Sequence, residues 1–284
     1  MPNVLVESNY GKAQVRLVKL VKHAERHEVR DVTVHVQLEG EYLAAHVEGE
    51  NAAVLPTDTM KNTVYVLAKL HDIDEVEDFA RRLAQHFLKA TEHASAARIE
   101  VVEQLWDRLP VAGWPHPTTF SRTGAERRVA IVRALRDGTT RVESGWRDLL
   151  VLKTAQSGFS GFQRDRYTTL RETEDRLFAT TIAATWRYGA AVESGYASVR
   201  ARMRQSLLEA FAEHESRSVQ HTLYAMAEAA LERVPEVDEI RLSLPNKHHI
   251  LADLSPFGFQ NDNEIFVPTD EPYGLIEATV RRGK

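Results

Sequence analysis

Four apolar residues, Val32, Val34, Val36 and Leu38, alternate with Thr33, His35, Gln37 and Glu39. A period of two puts the two sets on opposite faces of an extended chain, so one face is buried and the other wet. Val15, Leu17 and Val21 indicate an earlier strand, with a long hairpin between the two. The spacing then becomes helical at Val76, Phe79, Ala80, Leu83 and Phe87. The acidic stretch from Asp72 to Asp78 opens that helix, where carboxylates suit the positive end of the helix dipole and the solvent rather than a metal. Strands resume at Ile99 to Leu105 and at Val129 to Leu135.

The second half repeats this order. Leu149 to Leu152 and Phe178 to Trp186 are strand-like. Val199, Met203, Leu207 and Phe211 have helical spacing, as do Leu223, Met226, Ala227 and Ala230, and Ile240, Leu242 and Leu244 alternate again. The segment Asn62 to Lys69 resembles His221 to Glu228, with Thr, Tyr and Ala in register. A duplicated ββααββ unit is the economical reading. It predicts an α+β fold with antiparallel sheets and helices on one face, in units 1–140 and 141–284, the boundary lying near Gly138 to Ser144.

Composition narrows the function classes. A chain of 284 residues can bury a large core without staples. With 36 basic against 41 acidic residues the net charge is −5, which argues against a general nucleic-acid binder. The absence of cysteine removes disulfides, thiolate nucleophiles and cysteine metal sites. No apolar run approaches the ~18 residues of a membrane span. The start lacks a basic n-region, and the end, Arg281-Arg282-Gly283-Lys284, is not Ser-Lys-Leu, so the expected location is cytoplasmic.

General catalytic motifs are missing. There is no phosphate loop, no Gly-x-Gly-x-x-Gly and no His-Glu-x-x-His, and Gly158-Phe159-Ser160-Gly161 is one residue short of a nucleophile elbow. His23 and His27 could share a helix face, but no third ligand stands near them. Arg200, Arg202 and Arg204 suggest a wet or subunit-contact helix face.

Four segments instead place polar groups in apolar surroundings. Asn9-Tyr10-Gly11-Lys12 precedes the first strand, and Leu55 to Asn62 opens the first helix. Gln156 to Arg176 is rich in Phe, Arg, Asp and Thr. Leu244-Pro245-Asn246-Lys247-His248-His249 interrupts a strand pattern, and its proline implies an edge or a bulge. His248 and His249 should point to opposite faces, so that only one serves a given site.

These segments resemble uricase, the urate oxidase family of the tunnelling fold. The resemblance runs from Tyr10-Gly11-Lys12 to Gly274-Leu275-Ile276. Its most specific pieces are Thr57-Asp58-Thr59-Met60-Lys61-Asn62-Thr63, Phe159-Ser160-Gly161-Phe162 with Asp165, Tyr167-Thr168-Thr169-Leu170, Val219-Gln220 and Leu244-Pro245-Asn246-Lys247-His248. It implies cofactor-free oxidation of urate by O2 and water to 5-hydroxyisourate and hydrogen peroxide. It also implies a homotetramer that forms a tunnel-shaped barrel, with no metal, nucleic acid or membrane partner. Active sites would lie between subunits, Thr57 and Asp58 coming from the neighbour of the chain that supplies Arg176.

Carried over residue by residue, Lys12, Thr57 and His248 form a proton relay. Lys12 must be partly neutral to take a proton from Thr57, a state that desolvation favours. Arg176 offers paired donors to a flat anion, and Gln220 both donates and accepts at the opposite purine edge. Phe159 stacks on the purine ring, Leu170 and the Val219 backbone complete the pocket, and Asn246 holds O2 or the attacking water. Taken singly, Lys12 reads as a surface lysine, His248 as a structural histidine and Arg176 as half of an ion pair. Two rival readings are a zinc-dependent tunnelling-fold enzyme acting on a pterin or purine, and an oligomeric purine-binding protein without turnover.

Overall fold

A computed structural model describes residues 3–122, 124–189, 192–193 and 195–283. Met1, Pro2 and Lys284, part of the terminal segments read above, lie outside the described residues. The chain divides into two units, Met1–Gly145 and Trp146–Lys284.

In the first unit, β1 (Asn9–Lys22) and β2 (His27–Gly40) form the long hairpin. A short helix α1 (Leu43–Val47) precedes the paired helices α2 (Thr57–Leu70) and α3 (Val76–Ala90). Then come β3 (Ala94–Gln104), an inserted hairpin of β4 (Asp107–Val111) and β5 (Trp114–Ser121), and β6 (Arg127–Leu135). The strand order is β1-β2-β3-β6, antiparallel throughout. Val32, Val34, Val36 and Leu38 are fully buried, as the alternation predicts, and pack with Met60 and Val64 of α2 and Phe79, Leu83 and Phe87 of α3. Burying side chains of this size contributes about 1.5–3 kcal/mol each.

The boundary falls within β7 (Thr140–Lys153), a few residues past the expected division. The second unit continues with β8 (Phe178–Tyr188), α4 (Tyr196–Glu213), α5 (Val219–Arg233) and β9 (Val237–Lys247). A small hairpin of β10 (His249–Leu251) and β11 (Phe266–Pro268) leads to β12 (Gly274–Arg281). Strand β9 lies between β8 and β12. Ile240, Leu242 and Leu244 of β9 are buried, as are Met203 and Leu207 of α4 and Met226 and Ala230 of α5. Each unit therefore runs ββααββ, and each inserts a two-stranded hairpin before its last strand.

Several sequence expectations need correction. The matched segments Asn62–Lys69 and His221–Glu228 lie on α2, the first helix of its pair, and α5, the second of its pair. They are not equivalent positions, and their likeness is one of amphipathic helix spacing. Tyr10 to Lys12 lie inside β1 rather than before it. His23 sits in the β1–β2 turn and His27 begins β2, so they share no helix face. Arg200 is buried, and Arg202 pairs with Glu236 at 3.2 Å, because α4 turns 100° per residue and cannot keep positions i, i+2 and i+4 on one wet face. Pro245 is at neither an edge nor a bulge. Pairing of β9 with β8 keeps one register from Asn246–Thr180 to Ser243–Ala183 and omits Leu244 and Pro245 from the ladder, which accommodates the missing N–H.

Among the described residues, no helix is long and apolar enough to cross a membrane.

Candidate active site

The expected site residues fall into two groups. Lys12, Thr57 and Asp58 belong to the first unit and the other seven to the second.

Local backbone geometry sets Lys12. A Cβ on Gly11 would stand 1.7 Å from the Val36 carbonyl oxygen, so only glycine permits β1 to approach β2 there. The register then shifts between Lys12 and Val15, where Gln14 takes a left-handed φ of 58°. This bulge re-aims Lys12, which borders a polar recess of about 250 Å³ with His35, Gln37, Arg98 and Glu100. The Tyr10 hydroxyl accepts from the Leu55 N–H at 2.9 Å, two residues before α2 begins at Thr57. Asp58 accepts from the Lys61 ammonium and from the Asn62 amide at 3.0 Å. The Lys61 hydrogen bond and charge hold its carboxyl below the ordinary aspartate value, with smaller help from Asn62 and the Lys12 charge. No hydrogen bond joins Lys12 to Thr57 among the described residues.

In the second unit, Phe159, Leu170, Arg176, Asn246 and His248 wall one cavity of about 510 Å³. That is within the usual range for a small-molecule site. The Phe159 N–H donates to the Thr173 carbonyl at 2.7 Å and the Thr173 N–H returns to Phe159 at 3.1 Å, which closes the loop carrying Leu170. The Arg176 N–H donates to the Ser157 carbonyl at 2.7 Å. Its side chain is partly buried, and its Nε is buried without a partner. Desolvation lowers the Arg176 pKa, though a guanidinium remains charged at neutral pH. A buried donor left open in this way is costly unless a ligand accepts from it. Asn246 is nearly buried, between Thr180 of β8 and Gly274 of β12, and its side-chain amide makes no hydrogen bond among the described residues.

His248 and His249 both line this cavity, so the expectation that only one of them serves a given site does not hold here. Strand alternation does not relate them, because His248 lies at the break between β9 and β10. The Thr269 N–H holds the His248 carbonyl at 2.9 Å. Val219 and Gln220 do not line the cavity. They begin α5, which Ser218 caps by accepting from the His221 N–H at 3.1 Å. The turn before α5 is tied to the Phe159 loop, for Gly158 donates to Ser216 at 2.8 Å and Ser216 to Gln156 at 2.9 Å. Sequence reading missed Arg171, Thr269 and Glu271 on the cavity wall. Thr269 and Glu271 follow β11, which like its partner β10 spans three residues, too few for a periodic signal, and Arg171 lies in the irregular loop before β8. Among the described residues, no three His, Cys, Asp or Glu side chains are grouped to hold a metal ion.

The sequence profile of the family described as Uricase matches residues 8–133 and 142–277. The chain belongs to the uricase family. It is 46% identical to the uricase of Arthrobacter globiformis over 279 residues, which covers 98% of this chain and 90% of that protein. It is 38% identical to the uricase of Dictyostelium discoideum over 280 residues, covering 98% and 97%. The crystal structure of the Arthrobacter globiformis uricase superposes with a TM-score of 0.92 at 45% identity, covering 99% of this chain and 96% of that one. The urate oxidase of Bacillus sp. TB-90, at 23% identity and a TM-score of 0.80, shares the fold. The α+β architecture is thus the tunnelling fold of the uricase family.

Proposed function

We propose that this chain oxidises urate with O2 and water to 5-hydroxyisourate and hydrogen peroxide, without a cofactor. The observation that carries the reading is the Arg176 side chain, whose buried Nε has no partner in a cavity that Phe159 also walls. Urate is flat, anionic and edged with carbonyl oxygens. An aromatic face and a planar, permanently charged donor set match those three properties.

In this reading Phe159 stacks on the purine, while Arg176 and Gln220 grip its opposite edges. Lys12 and Thr57 draw off a urate proton, leaving a ring electron-rich enough to pass an electron to O2. Asn246 holds O2 and then water above the ring. His248 handles the proton exchanged with the attacking water, its ring nitrogens being able both to donate and to accept. The protein supplies orientation, proton transfer and a preorganised polar cage.

The reading includes a homotetramer in which Thr57 and Asp58 of one subunit complete the cavity of its neighbour. Two features support it. Strand β1 ends the strand order of the first unit and β12 that of the second, so each presents an unpaired edge. Exposed apolar side chains include Val66 and Leu70 on α2 and Phe257 and Phe259 after β10.

The deciding experiment follows oxygen uptake with urate in the presence of EDTA, together with loss of urate ultraviolet absorbance and peroxide release. Matched consumption and release are expected. A folded oligomer that binds urate but takes up no oxygen would overturn the reading.

A further inference from the structure

The loop closed by the Phe159–Thr173 backbone pair stacks on Phe159 two side chains, Phe162 and Arg164, that the proposed chemistry does not use. The Phe162 ring lies nearly parallel to Phe159, with centroids 4.9 Å apart and planes 12° apart. The Arg164 guanidinium stands over Phe162, 4.9 Å from its centroid. The same guanidinium reaches back across the loop, to the Leu170 carbonyl at 3.4 Å and the Glu172 carboxylate at 3.5 Å. Phe159 and Leu170 line the cavity, whereas Phe162 and Arg164 do not.

We infer that Phe162, clamped by Arg164, is a positioning residue that presents a single face of Phe159 to a flat heterocycle. The inference rests on the reading of Phe159 as the stacking platform. Phe162 occupies one face of the Phe159 ring and the Arg176 guanidinium stands over the ring 5.4 Å from its centroid, so a planar ligand stacks on the face away from Phe162. Rotation about the last side-chain bond of phenylalanine is broad, and an unsupported ring would sample many tilts. Stacking on Phe162 removes that freedom before the ligand arrives, which lowers the ordering cost of binding. Arg164 fixes Phe162 from behind and ties it to the loop segment carrying Leu170, so two cavity walls are held together.

The test measures KM and kcat with urate, and the calorimetric affinity of xanthine, a purine lacking the C8 oxygen. The variants are F162A, F162Y, R164A and F159A. An aromatic pair of this geometry corresponds to about three- to ten-fold in affinity. F162A should weaken xanthine and raise KM by that factor while kcat changes less than about twofold. F162Y should restore both values, and R164A should shift them the same way by less. If F162A does not fold, F162L removes the ring but keeps apolar volume, and the same shift is expected. F162A or F162L with unchanged KM and xanthine affinity overturns the inference, provided that F159A weakens binding. Unchanged binding in F159A overturns the platform reading itself, and the inference with it. A fall in kcat alone, with unchanged xanthine affinity, also counts against positioning.

Discussion

The hydroxyl oxygen of Tyr10 accepts a hydrogen bond from the backbone N–H of Leu55 at 2.9 Å, which ties β1 to the entry of α2. Lys12 and Thr57 each lie two residues beyond the two ends of this bond. Tyr10→Phe removes the acceptor and leaves a partly buried N–H unpaired. Stability should fall by about 1 kcal/mol in urea unfolding. If the bond aligns the relay, kcat should fall while KM stays close to the parent value. An unchanged kcat with lowered stability would confine the bond to folding.

Gly11→Ala is a sharper test of the same region. The added methyl would lie 1.7 Å from the Val36 carbonyl oxygen, so β1 and β2 must separate. Overpacking of this kind costs about 1–3 kcal/mol, and here Lys12 must move with the strand. Thermal unfolding and turnover should both drop. Parent-like values for both would show that the hairpin yields without displacing the lysine.

Lys12→Met keeps most of the side-chain volume and removes the amine. General-base transfer accounts for a factor on the order of 10²–10⁴ in rate, and the variant should lose that much kcat. Steady-state oxygen uptake is sufficient to measure it. Turnover near the parent rate would remove Lys12 from the relay.

Arg176→Ala should weaken xanthine binding by about 10- to 100-fold, the range for hydrogen bonds to a charged group. Arg176→Lys should not rescue it, because an ammonium cannot offer the paired planar donors. Calorimetry distinguishes the two outcomes. Full rescue by lysine would mean that charge alone, without fork geometry, holds the ligand.

His214 sets an acid limit on stability. Burial foremost, then the His221 ring and the Lys153 ammonium, lower its pKa below the ordinary 6.5, while Glu215 opposes them. The His214 and His221 ring centroids are 4.3 Å apart, and the His214 Nε2 is buried without a partner. With the folded pKa depressed, the unfolded chain binds the extra proton first. Stability is therefore complete above pH 6.5 and falls as the pH drops from there toward the folded value. Urea midpoints of the parent and of His214→Gln at pH 8 and pH 5.5 should show a shallower acid loss in the variant. Equal slopes would assign the acid sensitivity elsewhere.

The two kinds of site residue differ in how far they could be read from the chain. Thr57 opens α2 and Phe159 lies in an irregular loop, and both are expected at the site only through short motifs whose order resembles the uricase family. Arg171, Thr269 and Glu271 carried no such signal, because they line the cavity from a loop and a short hairpin linker with no periodicity. Pro245 and His248 show the limit of local rules. The proline signals an edge or a bulge, yet β9 keeps its register and leaves Leu244 and Pro245 out of the ladder with β8, while strand alternation fails at His248 because β9 ends at Lys247.

The sequence by itself determined the strands, the paired helices and their buried faces. Hydrophobic periodicity is a local property, and Val32 to Leu38 or Val76 to Phe87 carry it in full. It also determined the family, through motifs spread from β1 to β12. Only the tertiary structure decided that His248 and His249 share a wall, that Arg200 is buried, and that Phe162 backs Phe159. These depend on where strands stop and on which loops the backbone bridges draw together. Those bridges, such as Ser157 with Ser216 and Phe159 with Thr173, join residues distant along the chain, and no spacing rule encodes them.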